Sequence, residues 1–227
     1  RPDLYALHPR KEQTLVSSRN CIGLEVRRDF EGEIIDPMED LDQWHLKHRD
    51  TLANAESIAI CLLHSYMNSE DERTLESYLN KKHPATPISM SHQLAPVIRE
   101  YERASTAVMN AYVTPIMRAY LSTLGRRLNE EIKCDTTLEI MGSSGSLISD
   151  QLAVREPIHT VLSGPAGGVR GAWTVGARND RRLILAVDMG GTSTDISILD
   201  GGLLPTDDGR LGPYPIRVPL LPIETVG

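Results

Sequence analysis

Positive charge is scarce in this sequence. The 227-residue chain has 24 Lys and Arg against 31 Asp and Glu, which gives it a formal net charge of -7. Surfaces that bind nucleic-acid backbones concentrate Lys and Arg on one face, so this balance argues against a nucleic-acid partner. Small anionic nucleotides remain compatible with it, because a few backbone N–H groups and one metal ion can hold a phosphate without a basic patch.

Cysteines and long apolar runs are also few. Cys21, Cys61 and Cys134 are far apart and form no C-x-x-C pair, so zinc and redox motifs are absent and free thiols in a reducing cytoplasm are expected. The longest strongly apolar run, residues 58–63, is far too short to span a bilayer, and the first residues do not have the layout of a signal peptide. We therefore predict a cytoplasmic protein without a membrane partner.

The composition, 40% hydrophobic and 24% charged residues, is typical of a globular chain with one large domain or two small ones. Long helical patterns give way to Gly-rich turns and short strands after Gly142, so we expect one unit over residues 1–142 and a second over 143–227. The chain starts at Arg1 without an initiator methionine and stops at Gly227 within a patterned segment. We therefore expect it to be part of a longer protein.

Hydrophobic patterning in the first half predicts alternating strands and helices. Strand-like pieces at 14–16 and 21–26 precede a polar helix at 41–54, and the continuous apolar run at 57–63 is typical of a strand buried on both faces. A capping box at Ser69 predicts a helix that ends near Lys82, and residues 87–91 favour another strand. This strand–helix–strand order indicates an α/β fold, with mixed sheets and flanking helices.

A long helix is predicted over residues 95–129, with Pro115 expected to kink or split it. Its apolar stripe comprises Val97, Tyr101, Ala104, Val108, Tyr112, Ile116, Tyr120, Leu124 and Leu128. A strand at 136–141 and a turn at 142–146 follow.

The most informative segment has the sequence D-M-G-G-T-S-T-D at residues 188–195, between apolar strands at 183–187 and 196–199. The first of these strands is expected to be buried. Two glycines, Gly190 and Gly191, can adopt φ > 0 and turn backbone N–H groups toward an anion. The candidate phosphate-binding residues are Gly190, Gly191, Thr192, Ser193 and Thr194.

Two carboxylates bracket this turn, and they are the candidate catalytic residues. Asp188 and Asp195 could orient a hydrated Mg²⁺ or a nucleophile near a terminal phosphate, with Asp188 as the candidate metal ligand. Asp195 begins the second strand, where its side chain could instead accept hydrogen bonds from the backbone N–H groups of the turn. The segment is neither a P-loop nor a dinucleotide fingerprint, since it has no Lys and a strand follows the turn. An ordinary β-hairpin with solvated carboxylates is the alternative.

A small-residue helix is predicted just before this segment. Residues 163–172 place Ser163 as a possible cap and Pro165 near the helix start, and glycines recur at 164, 167, 168 and 171. These glycines fit tight packing against another helix or contact with a nucleotide, and the sequence leaves both open. Trp173 is expected to pack beneath the hairpin as part of the core.

These motifs resemble those of a known family. The small-residue helix, the buried strand and the D-x-G-G-T-x-T-D turn are similar to the second phosphate hairpin of the actin, sugar-kinase and heat-shock-chaperone ATPase superfamily. Residues 161–168 (V-L-S-G-P-A-G-G) and 188–195 more specifically resemble the hydantoinase A and 5-oxoprolinase family, which includes ATP-dependent N-methylhydantoinases. Ordered matches also occur at L-L-H-S-Y (62–66), R-E-Y-E-R with S-T (99–106) and N-A-Y-V-T-P (110–115), so the resemblance covers nearly the whole chain.

The chain departs from the family pattern at two positions. Ser69 stands where a proline is usual, and Ser146 replaces the second glycine of a Gly-Gly turn. The other phosphate hairpin of the family is missing from this sequence. The resemblance thus implies that the chain holds about half of a nucleotide site, and that it does not turn over ATP alone.

The resemblance implies part of an actin-like ATPase fold, with ribonuclease H-like lobes that close on ATP and Mg²⁺. It implies that ATP activates a small cyclic amide such as a hydantoin or 5-oxoproline. The γ-phosphoryl group would move to the ring carbonyl oxygen, and water would attack the imidoyl-phosphate-like intermediate with phosphate as the leaving group. A partner subunit or fused second half, and an oligomer, are also implied. A subunit of an ATP-dependent acetone or acetophenone carboxylase, and a non-catalytic binding module driven by nucleotide, are the alternatives.

Other polar residues allow more than one interpretation. His64 follows an apolar strand and is expected to be a hydrogen-bonded structural residue rather than a metal or substrate ligand. Residues 45–49 contain His45, Lys47, His48 and Arg49, which favour a solvated helix face. The segment 99–103 fits either an anion site or ordinary ion pairs within a helix.

Overall fold

The structure is a computed structural model that describes residues 14–132 and 137–227. Cys134 and the first residue of the strand predicted at 136–141 lie outside the described residues. The chain has the predicted mixed α/β class, with small sheets flanked by helices. The helices are α1 (Leu41–Ala53), α2 (Glu70–Lys82), α3 (Ser91–Leu94), α4 (Glu100–Ile132), α5 (Asp150–Arg155) and α6 (Ser163–Arg178).

The strands are short except for one hairpin near the end of the chain. They are β1 (Arg27–Arg28), β2 (Ile34–Asp36), β3 (Ile58–Ile60), β4 (Ile88–Met90), β5 (Glu139–Met141), β6 (Leu147–Ser149), β7 (Leu183–Met189), β8 (Thr194–Asp200), β9 (Gly209–Leu211), β10 (Tyr214–Ile216) and β11 (Glu224–Val226). Residues 14–16 and 21–26 form no strand, so those two predictions are wrong. Neither piece pairs with another strand among the described residues, and a strand needs a neighbouring strand to satisfy its backbone groups.

The strand–helix–strand unit predicted in the first half is confirmed. Strands β3 and β4 are parallel, with Ile58 opposite Ile88 and Ile60 opposite Met90, and α2 connects them. A core cluster of Trp44, Leu52, Ile60, Leu75 and Leu79 fills the space between this pair and helices α1 and α2. Ile58 and Ile60 face this cluster, and Ala59 packs against a second cluster on the other side, where α4 contacts both strands. Strand β3 is thus covered on both faces, as predicted, although only Ile60 is fully buried.

The capping box predicted at Ser69 does not form. The Ser69 side chain makes no cap hydrogen bond, and the amide of Glu70 instead donates to Oδ1 of Asn68 at 3.0 Å. Glu72, the residue that would complete the box, points into the protein and is 0% exposed. It cannot reach back to the helix start because its carboxylate accepts hydrogen bonds from two other segments.

Helix α4 is one continuous element that contains Pro115 without being split. The apolar stripe predicted for it is wrong, since Tyr101, Tyr112, Ile116 and Tyr120 are all exposed. The buried face instead carries small and polar side chains, namely Arg103, Thr106, Ala107, Asn110, Ala111, Thr114 and Leu121. Hydrogen bonds from these polar groups to neighbouring loops, such as the amide of Ile158 donating to Asn110 Oδ1, determine which face packs inward.

The last third of the chain is built around a three-stranded antiparallel sheet in the order β11–β8–β7. Helix α6 packs on one face, where Ala166, Val169, Leu199 and Leu221 form a core cluster. The other face carries Leu183, Leu185 and Val187 at 53–71% exposure. On the α6 face Ile184 and Ala186 are only partly buried, so the prediction that residues 183–187 form a buried strand is wrong. No described element covers that second face.

Strands β5 and β6 form the hairpin whose turn was predicted at residues 142–146. The amide of Gly142 donates to the Ser146 carbonyl at 2.7 Å, and Gly145 has a left-handed φ of 74°. Among the described residues, no helix is both long and apolar enough to cross a membrane.

Candidate functional site

The segment 188–195 forms the predicted hairpin. Seven residue pairs join β7 to β8, from Leu183 opposite Asp200 to Met189 opposite Thr194. The amide of Gly190 donates to the Ser193 carbonyl at 2.9 Å and closes the four-residue turn. Asp188 is part of β7 rather than following it, because the ladder continues to Met189.

The two candidate carboxylates lie directly opposite each other across the hairpin. Asp188 pairs with Asp195, and opposite residues of an antiparallel pair project on the same face of a sheet. That face is the one covered by α6, since a Cβ added at Gly168 would lie 4.0 Å from Oδ2 of Asp188. Asp188 is exposed, and no described residue donates a hydrogen bond to its carboxylate. Its oxygens are therefore free to bind a ligand.

Asp195 is held by a neighbouring strand. Oγ1 of Thr225 donates to Oδ1 of Asp195 at 2.6 Å, and Thr225 is the residue opposite Asp195 in the β8–β11 ladder. The sequence predicted that the turn amides would donate to this carboxylate, and that prediction is wrong. The adjacent strand brings a hydroxyl to Asp195, whereas the Gly190 amide is used to close the turn.

The turn residues are open to solvent. Gly190, Gly191 and Thr192 are exposed, and a Cβ added at Gly191 would meet no atom within 4 Å. Neither glycine has a positive φ, so their predicted role in a left-handed turn is wrong. The absence of a side chain instead leaves the backbone of the turn accessible, which suits close approach of a phosphate.

The two remaining candidate phosphate residues lie at the end of the turn. Ser193 supplies the carbonyl that closes it, and Thr194 lies opposite Met189, on the face away from the two carboxylates. The structure therefore places Thr194 on the face of the hairpin opposite to Asp188. Contact of Ser193 and Thr194 with a phosphate stays a prediction.

Helix α6 supports the hairpin. It begins at Ser163 itself, after Leu162 in a left-handed conformation (φ 56°), so Ser163 is not the cap that was predicted. Its main contacts are with strands β5, β7 and β8. Gly168 faces Asp188, and a Cβ there would lie in ordinary van der Waals contact with Oδ2 of Asp188 at 4.0 Å. Trp173 packs with the cluster beneath the hairpin, as predicted.

Among the described residues, no three His, Cys, Asp or Glu side chains come together as a metal site. This is compatible with Mg²⁺, which protein sites usually bind through one or two carboxylates plus water and substrate phosphate oxygens. The role of Asp188 as a metal ligand therefore stays a prediction.

The polar segment 99–103 divides between two roles. Arg99, just before α4, is exposed and pairs at 3.3 Å with Glu102 of the first turn, which is 17% exposed and also lies 3.5 Å from Arg217. These are ion pairs between side chains of the protein. Arg103 is 0% exposed and donates from Nη2 to the Leu62 carbonyl at 2.6 Å. It thereby fixes the turn after β3.

Sequence reasoning missed the most buried polar group near that turn, Glu72. Its only signal was the serine three residues earlier, which we interpreted as half of a capping box.

His64, predicted to be hydrogen-bonded, has a left-handed φ of 55° and a buried Nδ1 without a partner among the described residues. On α1, His45 is not simply solvated, since its Nε2 lies 2.9 Å from Nε2 of His83.

Comparison with known proteins gives matches along the whole chain. Residues 103–227 match the hydantoinase/oxoprolinase family model, and residues 1–83 match the model of the hydantoinase/oxoprolinase N-terminal region. The chain is 34% identical to the 5-oxoprolinase of Saccharomyces cerevisiae over 75% of its length, which is 13% of that protein. It is 30% identical to the acetone carboxylase beta subunit of Xanthobacter autotrophicus, over 96% of this chain and 31% of that subunit.

A solved structure is also similar. The crystal structure of the ATP-dependent caprolactamase from Pseudomonas jessenii superposes with a TM-score of 0.85 at 26% identity, over 98% of this chain and 32% of that one. The chain thus spans about a third or less of the length of the relatives described here. The domain boundary at 142/143 stays a prediction. The hairpin, the helix before it and the family match over more than half of the sequence lead to one conclusion: this chain belongs to the hydantoinase/oxoprolinase family.

Proposed function

We propose that the intact protein carrying this chain uses ATP to open a small cyclic amide by hydrolysis. The observation that carries the proposal is the placement of Asp188 opposite Asp195 beside an open Gly-Gly turn. The names of two relatives, a 5-oxoprolinase and an ATP-dependent caprolactamase, support ring amides as the substrate class.

The residues present fit a nucleotide phosphate and Mg²⁺. The turn backbone at Gly190 and Gly191 is accessible, and the Asp188 carboxylate has no competing donor among the described residues. Gly190, Gly191 and Thr192 would hold the phosphate, and Asp188 would hold the metal ion, which neutralises charge on the transferred group. Asp195, held by Thr225, would keep the hairpin in shape.

In the proposed reaction ATP is a substrate. The ring carbonyl oxygen accepts the γ-phosphoryl group with release of ADP. One water then adds to the carbonyl carbon and the ring C–N bond breaks with the nitrogen leaving as an amine, which gives an acyl phosphate. A second water hydrolyses the acyl phosphate to a carboxylate and phosphate. A ring amide is a poor electrophile, so most of the rate would come from positioning and charge neutralisation at the hairpin. The account requires the other half of the nucleotide site, so the 227-residue chain alone is not expected to turn over ATP.

A second candidate is ATP-dependent carboxylation of a ketone. It is favoured by the acetone carboxylase beta subunit, whose alignment covers 96% of this chain. A structure of acetone carboxylase also superposes with a TM-score of 0.76 at 28% identity. The hairpin would serve either reaction, since both begin with transfer of a phosphoryl group to a carbonyl-derived oxygen.

The test is phosphate release by the intact protein with ATP and Mg²⁺, measured with hydantoin, 5-oxoproline, ε-caprolactam, or acetone plus bicarbonate. We expect at least one ring amide to stimulate release, and Gly191→Val to abolish it by blocking the open turn. Stimulation by acetone plus bicarbonate alone would support the second candidate and reject the first. Turnover by the 227-residue chain alone, lost in Gly191→Val, would show that this half-site is sufficient.

A further inference from the structure

A second group of polar residues lies at one edge of the small parallel sheet. Strands β3 and β4 are parallel, so their carboxyl ends meet at the same edge. Cys61, His64 and Ser65 follow β3, and Ser91 and His92 follow β4. In open α/β sheets ligands bind outside the carboxyl ends of the strands, so this group, here called the β3–β4 edge, has the position of a binding site.

A buried carboxylate joins the two sides of the β3–β4 edge. Glu72 is fully buried, and its Oε1 accepts from the Leu62 amide at 2.9 Å and from Ser91 Oγ at 2.6 Å. Its Oε2 lies 2.6 Å from Nδ1 of His92. Because Glu72 is the acceptor in these contacts, Nδ1 of His92 carries a proton, and in the neutral ring Nε2 then presents a lone pair.

An arginine from α4 completes the same network. Arg103 is fully buried and donates from Nη1 to Ser65 Oγ at 2.5 Å. Ser65 Oγ lies 3.3 Å from Ser91 Oγ, which in turn donates to Glu72. The guanidinium and the carboxylate are thus linked through two hydroxyls and have fixed positions.

Three buried nitrogens, two on the β3–β4 edge and one on the adjoining Arg103, have no hydrogen-bond partner among the described residues: Nδ1 of His64, Nε2 of His92 and Nε of Arg103. The His92 side chain is only 7% exposed. Leaving buried polar atoms unpaired is costly, and native proteins rarely do so without a functional reason. His64 also has a left-handed backbone, a strain that clusters at functional sites.

We propose that the β3–β4 edge binds the amide group of the ring substrate, an inference that rests on the proposed function. A secondary cyclic amide has an N–H donor and a carbonyl acceptor on adjacent atoms. Nε2 of His92 is an acceptor for the ring N–H, and Nε of Arg103 is a donor for the ring carbonyl. Glu72 is a positioning residue that fixes the tautomer and orientation of His92.

The test is the KM of the intact protein for the stimulating ring amide, measured beside its KM for ATP. His92→Asn keeps a donor near the position of Nδ1 for Glu72 but removes Nε2, so the KM for the ring is expected to rise at least tenfold while that for ATP stays the same. His92→Gln restores a polar group near Nε2 and is expected to recover part of the loss. His159→Asn is the matched control, because His159 also pairs with a glutamate, Glu156 at 3.4 Å, outside this edge. It is expected to leave both KM values unchanged.

Two results overturn the inference while the proposed function stands: an unchanged KM for the ring in folded His92→Asn, or an equal rise in the KM for ring and ATP. If His92→Asn does not fold, Arg103→Lys is the test variant in its place, because lysine keeps the charge and lacks the Nε donor. An unchanged KM of Arg103→Lys for the ring amide would then overturn the inference. Failure of every ring amide to stimulate the wild-type protein rejects the proposed function, and this inference with it.

Discussion

Glu72 offers a prediction whose size follows from its contacts. Its carboxylate accepts from the backbone amides of Leu62 at 2.9 Å and His92 at 3.1 Å, in addition to side-chain donors. Glu72→Ala leaves both amides without an acceptor, at about 1–3 kcal/mol each. Because both contacts are only partly buried, we expect a value near the lower end of that sum, about 2–3 kcal/mol. At about 1.4 kcal/mol per factor of ten, local opening becomes roughly thirty- to a hundredfold more frequent.

Hydrogen exchange measures this opening directly. Peptides covering Leu62 and His92 are expected to exchange faster by that factor in Glu72→Ala, while those of α6 are unaffected. The matched control is Glu70→Ala in the same helical turn, where the carboxylate is 73% exposed and worth less than about 1 kcal/mol. Equal exchange rates in the two variants would refute the conclusion that Glu72 holds the two strand ends together.

Three further predictions concern other parts of the chain. Asn110→Ala removes three hydrogen bonds of a fully buried amide and is expected to lower the free energy of unfolding by about 2–4 kcal/mol, read from the urea midpoint. Burial is the main cause that lowers the pKa of His45, and the neighbouring His83 lowers it further. Folding therefore favours the neutral imidazole, so the contribution of His45 to stability is complete above the unfolded pKa of about 6.5 and is lost as the pH falls below that value. The urea midpoint should therefore drop as the pH falls below about 6.5, and less so in His45→Gln. Gly227→Ala would place a Cβ 2.5 Å from the Thr192 carbonyl oxygen and displace the turn at residues 190–193. The KM of the intact protein for ATP is therefore expected to rise about tenfold. An unchanged KM for ATP would show that displacement of the turn does not affect nucleotide binding.

Local signals predicted the elements that depend on local chemistry. Helix α1, helix α2 and the β7–β8 hairpin follow from periodicity and turn residues within each segment. The hairpin also carried the family resemblance, and the opposite placement of Asp188 and Asp195 follows from the two-residue period of strands around a four-residue turn.

Contacts between distant segments could not be predicted in this way. The apolar side chains of α4 indicated one face, but Arg103 and Asn110 bond to loops far away in sequence and place the opposite face inward. Glu72 had the spacing of a capping residue, and its burial depends on Ser91 and His92, which arrive only with β4. The hydrogen bond to the Asp195 carboxylate likewise comes from Thr225, thirty residues further along the chain.

The central claim is that this hairpin is one half of a phosphoryl-transfer site, and it is tested most directly by kcat in the intact protein. Asp188 has free carboxylate oxygens, whereas Asp195 is already held by Thr225. Replacing each with the nearly isosteric Asn removes the charge and keeps one acceptor oxygen. With saturating ATP, Mg²⁺ and ring amide, Asp188→Asn is expected to lower kcat about a hundredfold or more, and Asp195→Asn by less. Near-normal turnover in Asp188→Asn at saturating Mg²⁺ would contradict the account.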